Sequence, residues 1–209
     1  MQQLYQKIMT ALVLCILYLA TAAQSNTITL KVGDKAPNLV HIQKWVKGTP
    51  VPAFEKGKIY LVDISEIGCP GCIKIIPDLK NIADKFRGKV EVIAVYVTGN
   101  SKSEFLEKFV EKVGLNYTVA MDMADNTTNT EWGVSAYPTT FIVNQEGRIA
   151  SYGHSEQELE SVLKSGTVTE EVKQELQEDS KNIERKRMIE FDKLLRTQKQ
   201  DLDLPGRLH

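Results

Sequence analysis

Two cysteines separated by two residues, Cys69-Pro70-Gly71-Cys72, lie between a run of strand length and a run of helix length. Thiols at that spacing can close into a disulfide and reopen, and so can pass a disulfide to another molecule. Ile59 to Ser65 (IYLVDIS) is apolar and rich in β-branched residues, and Ile73 to Phe86 carries apolar residues at helical spacing. This order places Cys69 at a helix N-terminus, where unpaired N–H groups and the positive end of the helix dipole favour a thiolate, the attacking species. Pro70 suits the first helical position, which needs no N–H.

A C-x-x-C pair is also half of a structural zinc site, and zinc requires two more ligands. The third cysteine, Cys15, falls in an apolar N-terminal stretch, and the histidines are scattered at His41, His154 and His209, so no metal is expected. An unreactive pair is the remaining alternative to redox chemistry.

Three more residues occupy positions that matter to a dithiol. Asp63 interrupts the run from Ile59 to Ile64. A strand apolar at successive positions is covered on both faces, so a carboxylate there is desolvated, its pKa rises, and it can take the proton of the second thiol. The alternative is an Asp at a strand edge facing water. Pro77 falls inside the helix after the motif, where it kinks the helix; its expected role is architectural. Pro138, preceded by Tyr137, opens a strand. A cis bond there would set the Tyr137 backbone beside Cys69, free to pair with an extended substrate.

The elements that must hold these residues follow from the pattern. The 209 residues allow one ordinary domain plus appendages, and a formal net charge of -1 offers no reason to expect nucleic acid or an anionic membrane as partner. Residues 1-23 read as a secretory signal: Lys7, an apolar segment from Ile8 to Ala20, and small residues at Thr21-Ala22-Ala23, with cleavage expected after Ala23. The uncharged stretch falls short of the ~20 residues of a comfortable span, although an uncleaved anchor is the alternative. Cleavage leaves two cysteines, suited to a periplasmic or secreted location. Residues 24-166 form the expected domain. Strands are predicted at Ile28–Val32, Asn38–Ile42, Ile59–Ser65, Val90–Thr98, Tyr117–Met121, Thr139–Val143 and Arg148–Tyr152, and helices at Gly71–Phe86, Ser103–Val113 and Glu156–Lys164. The segment Asp125–Trp132 reads as a short helix or turn. Two right-handed crossovers and a closing hairpin give an α/β fold. Residues 167-209 form a charge-dense tail whose thin apolar stripe suits a long helix, either solvated or available for association.

Together these residues resemble the thioredoxin superfamily. Asp63, Cys69, Cys72 and Pro77 reproduce the spacing of its buried acid, active cysteines and helix-kinking proline, and Tyr137-Pro138-Thr139-Thr140-Phe141 resembles its cis-proline strand. Val32-Gly33-Asp34-Lys35-Ala36-Pro37, Trp45-Val46-Lys47-Gly48 and the extra crossover between Val90 and Met121 look like the TlpA/ResA-type extracytoplasmic thiol-disulfide oxidoreductases of bacteria. The resemblance covers about Lys31 to Lys164. It implies a thioredoxin fold, a central mixed sheet flanked by helices on both faces. It also implies disulfide exchange with protein thiols and a redox partner protein, without a dissociable cofactor. Cys69, Cys72 and Asp63 would be catalytic, and Tyr137, Pro138, Pro70 and Gly71 would contact substrate. Two departures stand out: where the family usually has aromatic residues, directly before the first cysteine and three positions earlier, this chain has Gly68 and Ser65. A redox-inactive or client-holding binding module is the alternative from another class. A peroxiredoxin-like peroxidase is a further one, although Glu66 and Val62 stand where that family's threonine and proline would be.

Overall fold

From Ile59 to Ser65 the chain is buried at every residue, and this strand is the axis of the fold. Alternate side chains enter two separate cores: Ile59 and Leu61 on one face, Tyr60, Val62 and Ile64 on the other. The computed structural model describes residues 30–98 and 103–202. In chain order the elements are β1 (Ile42–Lys47), β2 (Ile59–Glu66), α1 (Pro70–Lys85), β3 (Val90–Val97), α2 (Ser103–Val113), β4 (Thr118–Asp122), α3 (Thr127–Glu131), β5 (Thr139–Val143), β6 (Ile149–Ser151), α4 (Glu156–Ser165) and α5 (Glu170–Leu202).

One mixed sheet runs β1-β4-β3-β2-β5-β6. The β2-α1-β3 and β3-α2-β4 crossovers are parallel, whereas β5 joins β2 antiparallel, β6 closes a hairpin on β5, and β1 pairs antiparallel with β4. Two successive crossovers stepping the same way across a sheet put both helices on one face. There Leu79 and Ile82 of α1, Leu106 and Val110 of α2, and Leu159 and Val162 of α4 bury against Leu61, Val92 and Val119. The other face is covered by Trp132, which caps α3, and by Ala36, Leu39 and Val51 of the N-terminal segment. Phe54 and Phe141 meet Trp132 edge-on, at centroid distances of 6.0 and 4.8 Å.

The N-terminal strands differ from expectation. Residues 28 and 29 of the first expected strand, and the expected signal segment 1–23, lie outside the described residues. Leu30 to Val32 form no strand. Gly33 turns the chain with φ +96°, and the following residues clasp the edge of β6, with Gly33 N–H donating to the Ile149 carbonyl and Ile149 N–H to that of Asp34. The second strand is displaced: Asn38 to His41 are irregular, and pairing begins at Ile42. The register of β1 on β4 shifts twice within its six residues, which breaks the two-residue periodicity a strand otherwise shows.

The core does not stop at Gly166. Val168 is buried in the helix-side core, Val172 packs against it, and Ser161 Oγ donates to the Thr167 carbonyl and accepts from Thr169 N–H. Beyond this first turn α5 is largely exposed, including Ile183, Met188, Phe191 and Leu194. Truncation after Gln177 is expected to leave cooperative urea unfolding essentially unchanged. Truncation after Gly166 should lower stability by roughly 1.5–3 kcal/mol through loss of the buried Val168. Equal stability of the two truncations would show that Val168 contributes nothing to the core.

Candidate active site

The sheet delivers a strand buried from Ile59 to Ser65 directly into the dithiol. After Glu66, Gly68 turns the chain with φ +86°, a conformation that side-chain-bearing residues rarely adopt, although the space around it is open. In this backbone, conformation and not crowding excludes an aromatic residue before Cys69. Cys69 follows as the extended N-cap of α1, and Pro70 takes the first helical turn.

Cys69 therefore occupies the place of a capping oxygen. Its Sγ accepts the Cys72 backbone N–H at 3.3 Å and lies 3.6 Å from the Tyr137 carbonyl oxygen. Its pKa is lowered, first by the hydrogen bond from the Cys72 thiol and then by the N–H groups of Cys72 and Gly71; partial burial and the Glu66 charge act the other way. Cys72 is buried at 2% exposure. Burial pushes its thiol up to about 11, aided by its hydrogen bond to Cys69 and opposed by the Glu66 N–H and the Ser65 hydroxyl. Both cysteines are free thiols. The two sulfurs thus differ in kind: one is accessible and tends to ionise, the other is enclosed and holds its proton.

The substrate-side residues expected from sequence meet at the same place. The Tyr137-Pro138 bond is cis. A Cβ added at Gly71 would sit 3.1 Å from Pro138 Cδ, so the turn of α1 and the proline loop are in close contact. Pro70 is exposed at the tip, and Pro77 lies inside α1 on its exposed side. The Tyr137 ring is tethered in a way the sequence reading missed. Its hydroxyl donates to Asn129 Oδ1, and the Asn129 N–H is held by the buried Asp122 carboxylate, which also accepts from Thr128 and Met123 N–H. Asp122 ends β4 and anchors α3, so the loop carrying Tyr137 is fixed from two elements away. The sequence signal was an acid seven residues before an Asn, which no local pattern distinguishes.

Asp63 lies in the middle of β2, opposite Ala94 on β3 and Thr140 on β5, at 1% exposure. Its Oδ1 has no hydrogen-bond partner, and Oδ2 accepts the Ser65 hydroxyl at 2.6 Å. Burial raises its pKa to about 7, against the lowering effect of Ser65. Among the described residues the carboxyl has no hydrogen bond to either sulfur; its hydrogen-bond partner is the Ser65 hydroxyl, four residues before Cys69. His41 pairs with Glu131, and His154 with Thr140, so neither joins the cysteines.

The raised Asp63 value has a consequence for stability. The folded state prefers the neutral acid, so below the ordinary pKa near 4 the group adds no penalty; between about 4 and 7 the unfolded chain ionises while the folded one resists. Each pH unit in that window removes about 1.4 kcal/mol, on the order of 4 kcal/mol in all. Asp63→Asn should flatten this slope, so that wild type loses stability between pH 4 and pH 7.5 and the variant loses far less, read as urea midpoints across the range. Parallel curves for the two proteins would place the titration elsewhere.

The chain shares this architecture with proteins of known activity. The AhpC/TSA family matches residues 32–152. The chain is 28% identical over 143 residues to the thiol-disulfide oxidoreductase ResA of Bacillus anthracis, spanning 66% of this chain and 80% of that one. It is 31% identical over 123 residues to ResA of Bacillus subtilis, spanning 58% and 66%. The thioredoxin domain of a thiol-disulfide oxidoreductase from Bacteroides vulgatus superposes with a TM-score of 0.55 at 23% identity, covering 68% of this chain and all of that one. A DsbF homologue from Corynebacterium diphtheriae gives 0.52 at 23%, covering 68% and 95%. These structures share the thioredoxin fold with the sheet and helices described above. Since the family match alone takes in more than half of the 209 residues, including the whole of β2, the dithiol and the proline loop, the chain belongs to the AhpC/TSA family.

Proposed function

We propose that this protein exchanges disulfides with protein thiols outside the cytosol, with Cys69 as nucleophile and Cys72 as resolving thiol. It is a thiol-disulfide oxidoreductase, as its ResA relatives are named. The observation that carries the mechanism is the asymmetry of the dithiol: Cys69 Sγ caps α1 and is partly exposed, while Cys72 lies beneath it. In the reducing direction the Cys69 thiolate attacks a substrate disulfide, forms a mixed disulfide and releases one substrate thiolate. Cys72 then loses its proton and attacks Cys69 Sγ, the mixed disulfide breaks, and the second substrate sulfur leaves as thiolate. The enzyme dithiol is oxidised and the substrate disulfide reduced, with no cofactor in the step. Asp63 is the group suited to receive the Cys72 proton, since a carboxyl titrating near 7 is neither too weak nor too strong a base. The Tyr137 backbone, beside Cys69 and next to Pro138, supports the reading that an extended substrate segment pairs there. Pro70 and Gly71 line the same opening.

The extracytoplasmic location rests on the signal-like residues 1–23 and on the pair of cysteines that cleavage would leave. Among the described residues no helix is long and apolar enough to cross a membrane. Peroxide reduction fits less well: it needs donors around the thiolate to polarise the peroxide, and the nearby Glu66 carries a negative charge that opposes the thiolate. A redox-inactive binding module would have no use for two cysteines held at opposite pKa displacements.

At pH 6 iodoacetamide should modify Cys69 at least ~10-fold faster than Cys72 in the reduced protein, read by peptide mass mapping. Equal labelling would remove the assignment of roles. Cys72→Ser should accumulate mixed disulfides through Cys69 with reduced-and-reoxidised client proteins, whereas Cys69→Ser should trap none; trapping at Cys72 instead would reverse the two.

A further inference from the structure

Ser65, where the resemblance to the thioredoxin superfamily would put an aromatic ring, is fully buried on the helix side of β2. The Asp63 and Ser65 side chains project from the same face of the strand, two residues apart, towards the start of α1. The Ser65 hydroxyl donates to Asp63 Oδ2 at 2.6 Å, and the same hydroxyl, buried beneath the start of α1, is among the groups that hold the buried Cys72 thiol down against the effect of burial. Asp63 itself contacts no sulfur among the described residues, and its second oxygen has no partner. A hydroxyl both donates and accepts, and among the described residues no other side chain hydrogen-bonds the carboxyl.

We propose that Ser65 is the proton relay of the resolving step, carrying the Cys72 proton to Asp63 by a concerted shift through its hydroxyl. The inference rests on the assignment of Cys72 as resolving thiol made above. As Cys72 attacks Cys69 Sγ of the mixed disulfide, its S–H proton passes to Ser65 Oγ while the Ser65 O–H proton passes to Asp63 Oδ2. The Cys72–Cys69 bond forms, the bond to the substrate sulfur breaks, and that sulfur leaves with the electron pair. Asp63 ends as the neutral acid, the form that its burial favours. Ser65 returns to its starting composition, so the relay needs no co-reactant. The other titratable groups facing this site are Tyr96 from β3 and Tyr117 just before β4, both raised above the ordinary phenol range by burial and therefore neutral throughout, and Cys69 and Glu66 at the rim. From β5, Thr140 stands opposite Asp63 and is bonded to His154.

The test separates the two steps in one trace. Mixing the reduced full chain with 5,5′-dithiobis(2-nitrobenzoate) releases one thionitrobenzoate when Cys69 attacks and a second when Cys72 resolves the mixed disulfide. For Ser65→Ala the first release should stay within about twofold of wild type at every pH. The second should slow at least about tenfold near pH 6–7, the scale of a lost acid–base contribution, and its pH midpoint should move up. Ser65→Thr, which restores the hydroxyl, should recover most of the second rate. Asp63→Asn should slow the same phase, and Ser65→Ala/Asp63→Asn should be no slower than the slower single variant, because the two act in series. A second phase unchanged in rate and pH midpoint in Ser65→Ala overturns the relay. So does a double variant whose losses multiply, a comparison that stands even if the threonine does not fit. A protein whose first release is unaffected by Cys69→Ser would instead overturn the assignment of Cys69, an outcome distinct from either.

Discussion

The junction between β2 and α1 is the constraint on which the site depends. A strand buried on both faces must emerge into solvent within three residues and start a helix with its first N–H groups unpaired. In most helices an oxygen from Ser, Thr, Asp or Asn fills that role. Here a sulfur does, and the hydrogen bond from Cys72 N–H to Cys69 Sγ both completes the helix end and biases the sulfur towards the thiolate. Structure and reactivity rest on one contact, so the cysteine cannot be exchanged for a better cap without losing the chemistry.

The same junction explains why the second thiol behaves oppositely. One turn further on, Cys72 faces inward against the end of β2 and not outward to solvent, and desolvation outweighs the donors around it. A thiol held near 11 is a poor nucleophile until its proton is taken, and the buried carboxyl of Asp63 is itself displaced to about 7. Burial therefore narrows the gap between acid and base from the carboxyl side while it widens it from the thiol side. The protein retains an ionisable group in mid-sheet at a sizeable cost in stability at neutral pH. An apolar residue at position 63 would serve the fold better, a pattern expected where function and stability compete.

Support for the opening around Cys69 comes from outside the dithiol strand. Asp122 holds the start of α3, Asn129 on α3 holds the Tyr137 hydroxyl, and the Tyr137 carbonyl borders Cys69. Trp132, wedged between Phe54 and Phe141, packs the same short helix onto the sheet. The proline loop is thus braced on both sides, which keeps the Tyr137 carbonyl at a defined distance from the sulfur.

The dithiol, its place before a helix, the buried run around Asp63 and the order of crossovers were all legible in the chain itself. Each is a local pattern: strand composition, helical spacing, and a proline allowed only where no N–H is required. The strand from Thr139 to Val143 and the helix from Ser103 to Val113 agree with their expected bounds for the same reason, being short periodic segments closed by turn residues. The N-terminal strands were not legible, because Leu30 to Val32 reads as extended yet is captured by the edge of β6, and β1 takes its register from β4 and not from its own alternation. Nor could the sequence place the Asp63 carboxyl against Ser65, tie Tyr137 to Asp122, or extend the core to Val168. Those contacts join residues through space, and their existence depends on which face of a strand a side chain takes and what the folded chain brings opposite it. Residue types and spacing determined what chemistry the chain can carry; only the packed sheet decided which groups stand close enough to share a proton.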